Sequence, residues 1–419
     1  MSSEPDDHEP HRCDVLVLGA SFAGIEVLLQ LQRRLSRPLK IVVVDRQRRH
    51  GYIPLVHERL CGRLPGPEST LDTEAFVRSL PGVDFWADEV VAFAPEAKAA
   101  TLGSGRRVRA RFVVVALGSV LGPPAAIPGA EHLGGYKLHA DYERMAERLR
   151  AVLKAGADEN PRLVVVGGGI SGVELAGELA HLRRDRPEGW QSPAVTLVSS
   201  SPALLPELSP GIGRKAAAIL QAQGVELRLG TRLCEADADM VTLREAKGEG
   251  VGERTESLRC AMALWAGGVK PAPVLEHLGL PRTEQGWLAV GPTLQCFPAR
   301  VPRDLAAEPP EIFACGDAVR VVGGTGPWPT MQRAIECLWQ AKVVARNLST
   351  LAECAPDYPE GVPPLYPHRL RTRFAYGVSL GGRSLVVYGP ARVDVPALNV
   401  WFRRWLMRQY FARYAPRSE

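Results

Sequence analysis

Two glycine-rich corners, each closing an apolar run and opening a helical one, lie about a third of the chain apart. The first reads Val15-Leu-Val-Leu-Gly19-Ala-Ser21-Phe-Ala-Gly24. The second reads Leu163-Val-Val-Val-Gly167-Gly-Gly169-Ile-Ser-Gly172-Val-Glu174. A glycine at such a corner lets the backbone approach a pyrophosphate, and the helix start behind it offers free N–H groups and a positive dipole end. One such corner is weak evidence. Two in a chain of 419 residues predict two dinucleotides, hence electron traffic between a nicotinamide and a second, held cofactor.

Ser21 stands where the middle glycine of the first corner usually sits, the smallest side chain that intrudes there, with a hydroxyl to donate to a phosphate. Asp45, ending the next apolar run Ile41-Val-Val-Val, is placed to take a ribose hydroxyl. In the second corner Gly167, Gly169 and Gly172 are all in register, but the acid expected at the end of the following strand is missing. Val198 is followed instead by Ser199-Ser-Ser201. An acid there repels a 2′-phosphate whereas serines accept either cofactor, so NADH and NADPH both stay open. Glu174 lies early in its helix, where a carboxylate also simply favours the dipole. The late pair Gly316-Asp317 draws its meaning from position, with a strand before it and a helix after.

A chain of this length exceeds one hydrophobic core. Its 46% hydrophobic and 23% charged residues are those of an ordinary folded protein. A formal net charge of +5 with no RNA-type aromatic motif excludes nucleic acid as the expected partner and leaves room for an anionic ligand or lipid. The eight cysteines are scattered singly, without a CxxC or other short spacing for zinc or a local redox disulfide. With no signal peptide, a reducing cytosol is the expected home. No apolar stretch approaches the roughly 20 residues that span a bilayer, so any membrane role is expected to be peripheral.

The expected class is α/β, with two Rossmann-like dinucleotide-binding domains and a C-terminal segment. The expected divisions are a frayed N-terminus at 1–11, a first dinucleotide domain at 12–155 with its second part at 289–350, a nicotinamide domain at 156–288, and a tail at 351–419. The Pro/Gly/polar stretch 155–161 reads as a linker, 300–311 as a Pro/Glu-rich loop, and a helix is expected from about Thr330 to Leu348.

These residues together resemble the two-dinucleotide-fold flavoprotein reductases, and within them the type II NADH dehydrogenases (NADH:quinone oxidoreductases). The likeness runs from about Arg12 to about Leu348 and more loosely through the tail. It rests on Gly19 to Gly24, Asp45, Ala116-Leu-Gly118, Gly167 to Glu178, Leu264-Trp-Ala-Gly-Gly268-Val-Lys-Pro and Ile312-Phe-Ala-Cys-Gly316-Asp317. The resemblance implies that the first fold holds FAD and that the second, inserted within the FAD domain, holds NAD(P)H. It also implies that Asp317 contacts the FAD ribityl chain and that Glu174 lies near the flavin–nicotinamide stack. His50-Gly-Tyr-Ile-Pro54-Leu55 resembles a segment those enzymes place beside the flavin. Thr330-Met-Gln332-Arg-Ala-Ile-Glu336 resembles the helix start that lines their quinone pocket; Gln332 and Ala334 match, while Met331 and Glu336 depart. A charged Glu336 beside a quinone needs a proton or a partner, and a solvated helix-face glutamate is the plain alternative.

The activity so implied is hydride transfer from NAD(P)H to FAD and two-electron transfer on to a quinone, with Glu174, Gln332 and Glu336 as candidate catalytic residues. Three other readings stay open: a sulfide:quinone reductase using Cys296, Cys315 or Cys337, a reductase of a soluble electron carrier, and an apoptosis-inducing-factor-like flavoprotein that senses NADH. In the tail, Trp401, Phe402, Trp405 and Leu406 share one arc of a helix near 398–414, with Arg403, Arg404 and Arg408 largely outside it. Such an arc suits peripheral binding at the cytoplasmic face of a membrane, or packing on its own domain or on a second copy in a homodimer.

Overall fold

The protein is described here from a computed structural model covering residues 9–123, 126–154, 160–245, 254–296, 311–322, 332–354, 361–371, 376–388, 391–395 and 398–416. Most of the 155–161 linker and of the 300–311 loop, together with Thr330 and Met331, lie outside the described residues.

Val15 to Leu18 and Ile41 to Val44 are fully buried. Unbroken apolar runs of this kind form parallel strands covered on both faces. Accordingly, the strand His11–Leu18 pairs in parallel with Ile41–Asp45 on one side and Arg107–Val115 on the other. Val83–Ala87 extends the sheet outward beyond Ile41–Asp45, and Ile312–Ala314 returns late in the chain to pair with Arg107–Val115. Two antiparallel strands, Ala99–Leu102 and Val90–Ala94, complete a seven-stranded sheet. The helix Phe22–Arg34 packs against the long late helix Ala334–Ala352 on this sheet.

The second glycine corner repeats the architecture. Arg162–Val166 lies between Ala194–Val198 and Met262–Trp265 in a four-stranded parallel sheet that Glu226–Arg228 extends. A three-stranded antiparallel sheet, from Thr231–Ala236 through Met240–Glu245 to Thr255–Arg259, follows it. The two parallel sheets are joined by an antiparallel pair, Ser119–Leu121 with Val269–Pro271. Gly118 and Gly268 immediately precede these two strands and so stand at opposite ends of the antiparallel pair.

The corners are alike in detail. A Cβ on Gly24 would lie 1.9 Å from the Gly19 carbonyl oxygen, and one on Gly172 would lie 1.8 Å from that of Gly167. Each helix therefore rests its backbone directly on the preceding strand end, which only glycine permits.

The late helix begins at Ala334, four residues after the expected start, because Arg333 is extended and Gln332 reaches back to the Asp317 carbonyl at 3.5 Å. The tail forms a three-stranded antiparallel sheet from Tyr376 to Val395 and then the helix Leu398–Arg413. Met407, Tyr410 and Tyr414 are buried, so this helix packs on its own chain. Its end is anchored by Glu26, fully buried in the first dinucleotide helix. Glu26 accepts hydrogen bonds from Arg413 Nη2 at 2.6 Å and Nε at 3.0 Å, and from the Tyr414 hydroxyl. Glu26→Ala leaves both donors without their acceptor and is expected to cost about 2 kcal/mol or more. The checks are the urea unfolding midpoint and tryptic release of the tail; an unchanged midpoint with a protected tail contradicts this anchoring.

Candidate functional site

A cavity of about 430 Å³ opens at the carboxyl ends of the first sheet's parallel strands, lined by the Gly19–Ala23 turn, Asp45, Gly118 and Asp317. This is where an open α/β sheet places its ligand. Asp45 is fixed at the rim: Oδ2 accepts the Ala20 N–H at 2.7 Å and Oδ1 the Gln47 N–H at 2.8 Å. Burial raises its pKa, and these two N–H donors oppose that shift. Each oxygen keeps a lone pair for a ligand hydroxyl. Ser21 caps the helix without using its side chain there, which leaves the hydroxyl free to face the cavity it lines.

At the other end Asp317 sits in the short turn Gly316–Ala318, and its Oδ2 accepts from Lys137 Nζ at 2.6 Å and Ser119 Oγ at 3.1 Å. Lys137 had no signal in the sequence; it arrives from an irregular segment between the two folds. Beside it the Tyr136 hydroxyl is buried, lines the cavity and has no hydrogen-bond partner among the described residues. A cradle that only glycine backbone permits, two oriented carboxylates and an orphaned hydroxyl in the same cavity fit a bound dinucleotide such as FAD.

The second cavity, of about 1530 Å³, runs from the Gly167–Ser171 turn past Ser199, Ser201 and Gly268 to the tail helix. Glu174 and Gln332 are among the residues that line both cavities. They mark the seam that the two cavities share. Pro54 also lines the second cavity, and its carbonyl accepts from Arg403 Nη2 at 3.0 Å.

Glu174 is buried, and burial pushes its pKa up to about 7 against the opposing Arg403 charge. Its Oε1 accepts the Ser379 N–H at 3.0 Å and lies 3.3 Å from Arg403 Nη2. Its Oε2 lies 3.6 Å from His57 Nδ1. Burial holds the His57 pKa well below its usual value, with Arg403 and Arg63 adding to the shift, so the ring is neutral. Since Nε2 faces the Arg403 donor at 3.1 Å, the hydrogen-bond network assigns the ring proton to Nδ1, on the Glu174 side. Neither His57 nor Arg403 was singled out by the sequence as a site residue, because no local spacing links the tail helix to this seam.

Arg403 and Arg404, outside the aromatic arc, turn inward, Arg403 to Glu174 and Arg404 to Glu58 at 3.0 Å, because those buried carboxylates need counter-charges. Glu336 lines neither cavity: its Oε1 lies 2.6 Å from His368 Nε2 and accepts from Gln340 Nε2 at 3.1 Å. Gln340 in turn accepts the Gly316 N–H at 2.7 Å, so Glu336 braces the turn that carries Asp317.

Of the cysteines considered, Cys337 lines the first cavity with Sγ 3.4 Å from Asp317 Oδ1. Cys296 and Cys315 line neither cavity, and burial pushes both thiols up to about 12. At neutral pH these are protonated, unreactive thiols.

The family model of the pyridine nucleotide-disulphide oxidoreductases matches residues 13–341, from the first strand into the late helix. The chain is 26% identical over 341 residues to the type II NADH:quinone oxidoreductase Ndh of Mycobacterium tuberculosis, covering 77% of this chain and 70% of that one. It is 28% identical over 300 residues to the demethylphylloquinone reductase NdbB of Synechocystis, covering 69% of each. Among solved structures, NDH2 from Plasmodium falciparum in complex with NADH shares the fold with a TM-score of 0.78 over 97% of both chains, at 12% identity. With more than half its length matched, and both glycine corners inside the match, the chain belongs to the pyridine nucleotide-disulphide oxidoreductase family.

Proposed function

We propose that this protein is an FAD-dependent NADH:quinone oxidoreductase of the type II kind. The observation that carries the reading is the meeting of two dinucleotide-type cavities at Glu174 and Gln332. FAD, when bound, supplies the two-electron chemistry that couples a hydride donor to a quinone. The chain's own part is binding, orientation and proton management.

In this reading the Gly19, Ser21 and Gly24 corner receives the FAD pyrophosphate, Asp45 takes its ribose hydroxyls, and Asp317 with Lys137 orients the ribityl chain near Gly118. The Gly167, Gly169 and Gly172 corner receives the NADH pyrophosphate, with Ser199 at the ribose end and Gly268 beside the nicotinamide. Ile170 N–H already donates to Glu207 Oε1 at 3.1 Å, so the nucleotide displaces an exposed carboxylate from that helix start. Glu174, with a pKa near neutrality, holds or yields a proton at the seam. Gln332 and Pro54 face the quinone side.

The mouth of the second cavity favours an apolar acceptor. Ile335 and Leu406 line it and are exposed, and Trp401, Phe402 and Trp405 continue the apolar surface at 60%, 45% and 39% exposure. The Phe402 and Trp405 rings stack at 5.7 Å. No described helix is long and apolar enough to cross a membrane. This arc therefore supports peripheral contact with a bilayer, from which a quinone enters beside Gln332.

Anaerobic stopped-flow measurement tests the function. NADH is expected to bleach the flavin absorbance of the yellow protein, and a short-chain quinone to restore it within one turnover; failure of quinone to restore it overturns the quinone assignment. For the membrane contact, the wild type is expected to sediment with vesicles of phosphatidylglycerol and phosphatidylethanolamine. The Trp401→Ala/Trp405→Ala double variant is expected to stay in the supernatant, and equal partitioning of the two contradicts the assignment.

A further inference from the structure

We infer that the ribose end of the second cavity is built to accept a 2′-phosphate, so that NADPH serves as hydride donor at least as readily as NADH. This rests on the oxidoreductase reading above and deepens it to a nucleotide class.

The strand Ala194–Val198 ends in Ser199, Ser200 and Ser201, with no carboxylate to bind a 2′-hydroxyl and repel a phosphate. Three backbone hydrogen bonds tie this serine turn to the loop beside it. Ser199 N–H donates to the Arg228 carbonyl at 2.8 Å, Thr231 N–H to the Ser199 carbonyl at 2.8 Å, and Gly230 N–H to the Ser201 carbonyl at 3.0 Å. Arg232, next in the chain, consequently lines the same cavity as the three serines.

Arg232 makes no ion pair among the described residues, and it stands directly across the antiparallel sheet from Arg244. Directly opposed residues share a face, so a second guanidinium, not a carboxylate, is the cross-strand neighbour of Arg232. The carboxylates that line the cavity, Glu174 and Glu207, sit elsewhere, at the seam and at the start of the helix Ile170–His181. The Ser199 hydroxyl already accepts the Ser201 N–H at 3.2 Å and keeps its own proton to donate. Hydroxyl donors beside an unneutralised guanidinium form a phosphate site, and they give a bare 2′-hydroxyl no charged partner.

The test uses the flavin-loaded full chain under anaerobic conditions and compares second-order rates of flavin bleaching by NADPH and NADH. The expected rate with NADPH is within threefold of that with NADH or above it. Arg232→Glu is expected to lower the NADPH:NADH ratio by about tenfold or more, while Arg232→Lys keeps most of it. Calorimetry supplies a readout without turnover, with 2′,5′-ADP binding more tightly than 5′-ADP to the wild type. NADPH more than threefold slower than NADH, a ratio that Arg232→Glu leaves unmoved, or 5′-ADP binding as tightly as 2′,5′-ADP overturns the inference. If neither nucleotide bleaches the flavin, the oxidoreductase reading fails instead, and the calorimetric comparison still decides this one.

Discussion

The structure depends on one close contact made twice, a helix backbone resting on the carbonyl that ends the strand before it. At Gly24 over Gly19, and again at Gly172 over Gly167, no side-chain atom fits between the two. That contact aims each helix start, with its outward-facing N–H groups, into the space beyond the sheet. The short strand pair Ser119–Leu121 with Val269–Pro271 then links the two folds, its paired Leu121 and Val269 lining both cavities. Two binding sites that a chain could have kept apart are thereby made to share walls.

What happens at the shared wall is an electrostatic matter. Glu174 cannot remain charged in a buried seam without help, and the help comes from the far end of the chain through Arg403. Nearby, Arg63 pairs with Glu178 at 2.6 Å, and Ser379 donates to the same glutamate at 3.0 Å. Buried ion pairs of this kind give little net stability, but losing one partner leaves an expensive lone charge. The tail is therefore part of the site: it closes the second cavity, balances Glu174 and carries the apolar surface at the mouth.

Much of this was legible before any coordinates. The glycine corners, Asp45 and the Gly316-Asp317 turn carry their meaning in local spacing, because strand, turn and helix start are contiguous in the chain. Lys137, Tyr136, His57 and Arg403 were not legible, since each reaches the site through packing between distant segments that leaves no periodic trace. Glu336 shows the opposite case: its motif position left a quinone contact and a solvated helix face both open, and the fold instead gives its buried carboxylate His368 and Gln340 as neighbours. The tail arginines lie outside the aromatic arc, as their spacing indicates, but only the packing of distant segments gives Arg403 and Arg404 their buried acids.

With the two cavities sharing Glu174 and Gln332, the proposed reaction passes hydrogen from the nicotinamide to the flavin without touching water. Flavin bleaching by NADH deuterated at each face of the C4 position measures this directly. A primary isotope effect from one face alone is the predicted result. Equal rates with both labels and with unlabelled NADH would contradict the shared seam on which the account rests.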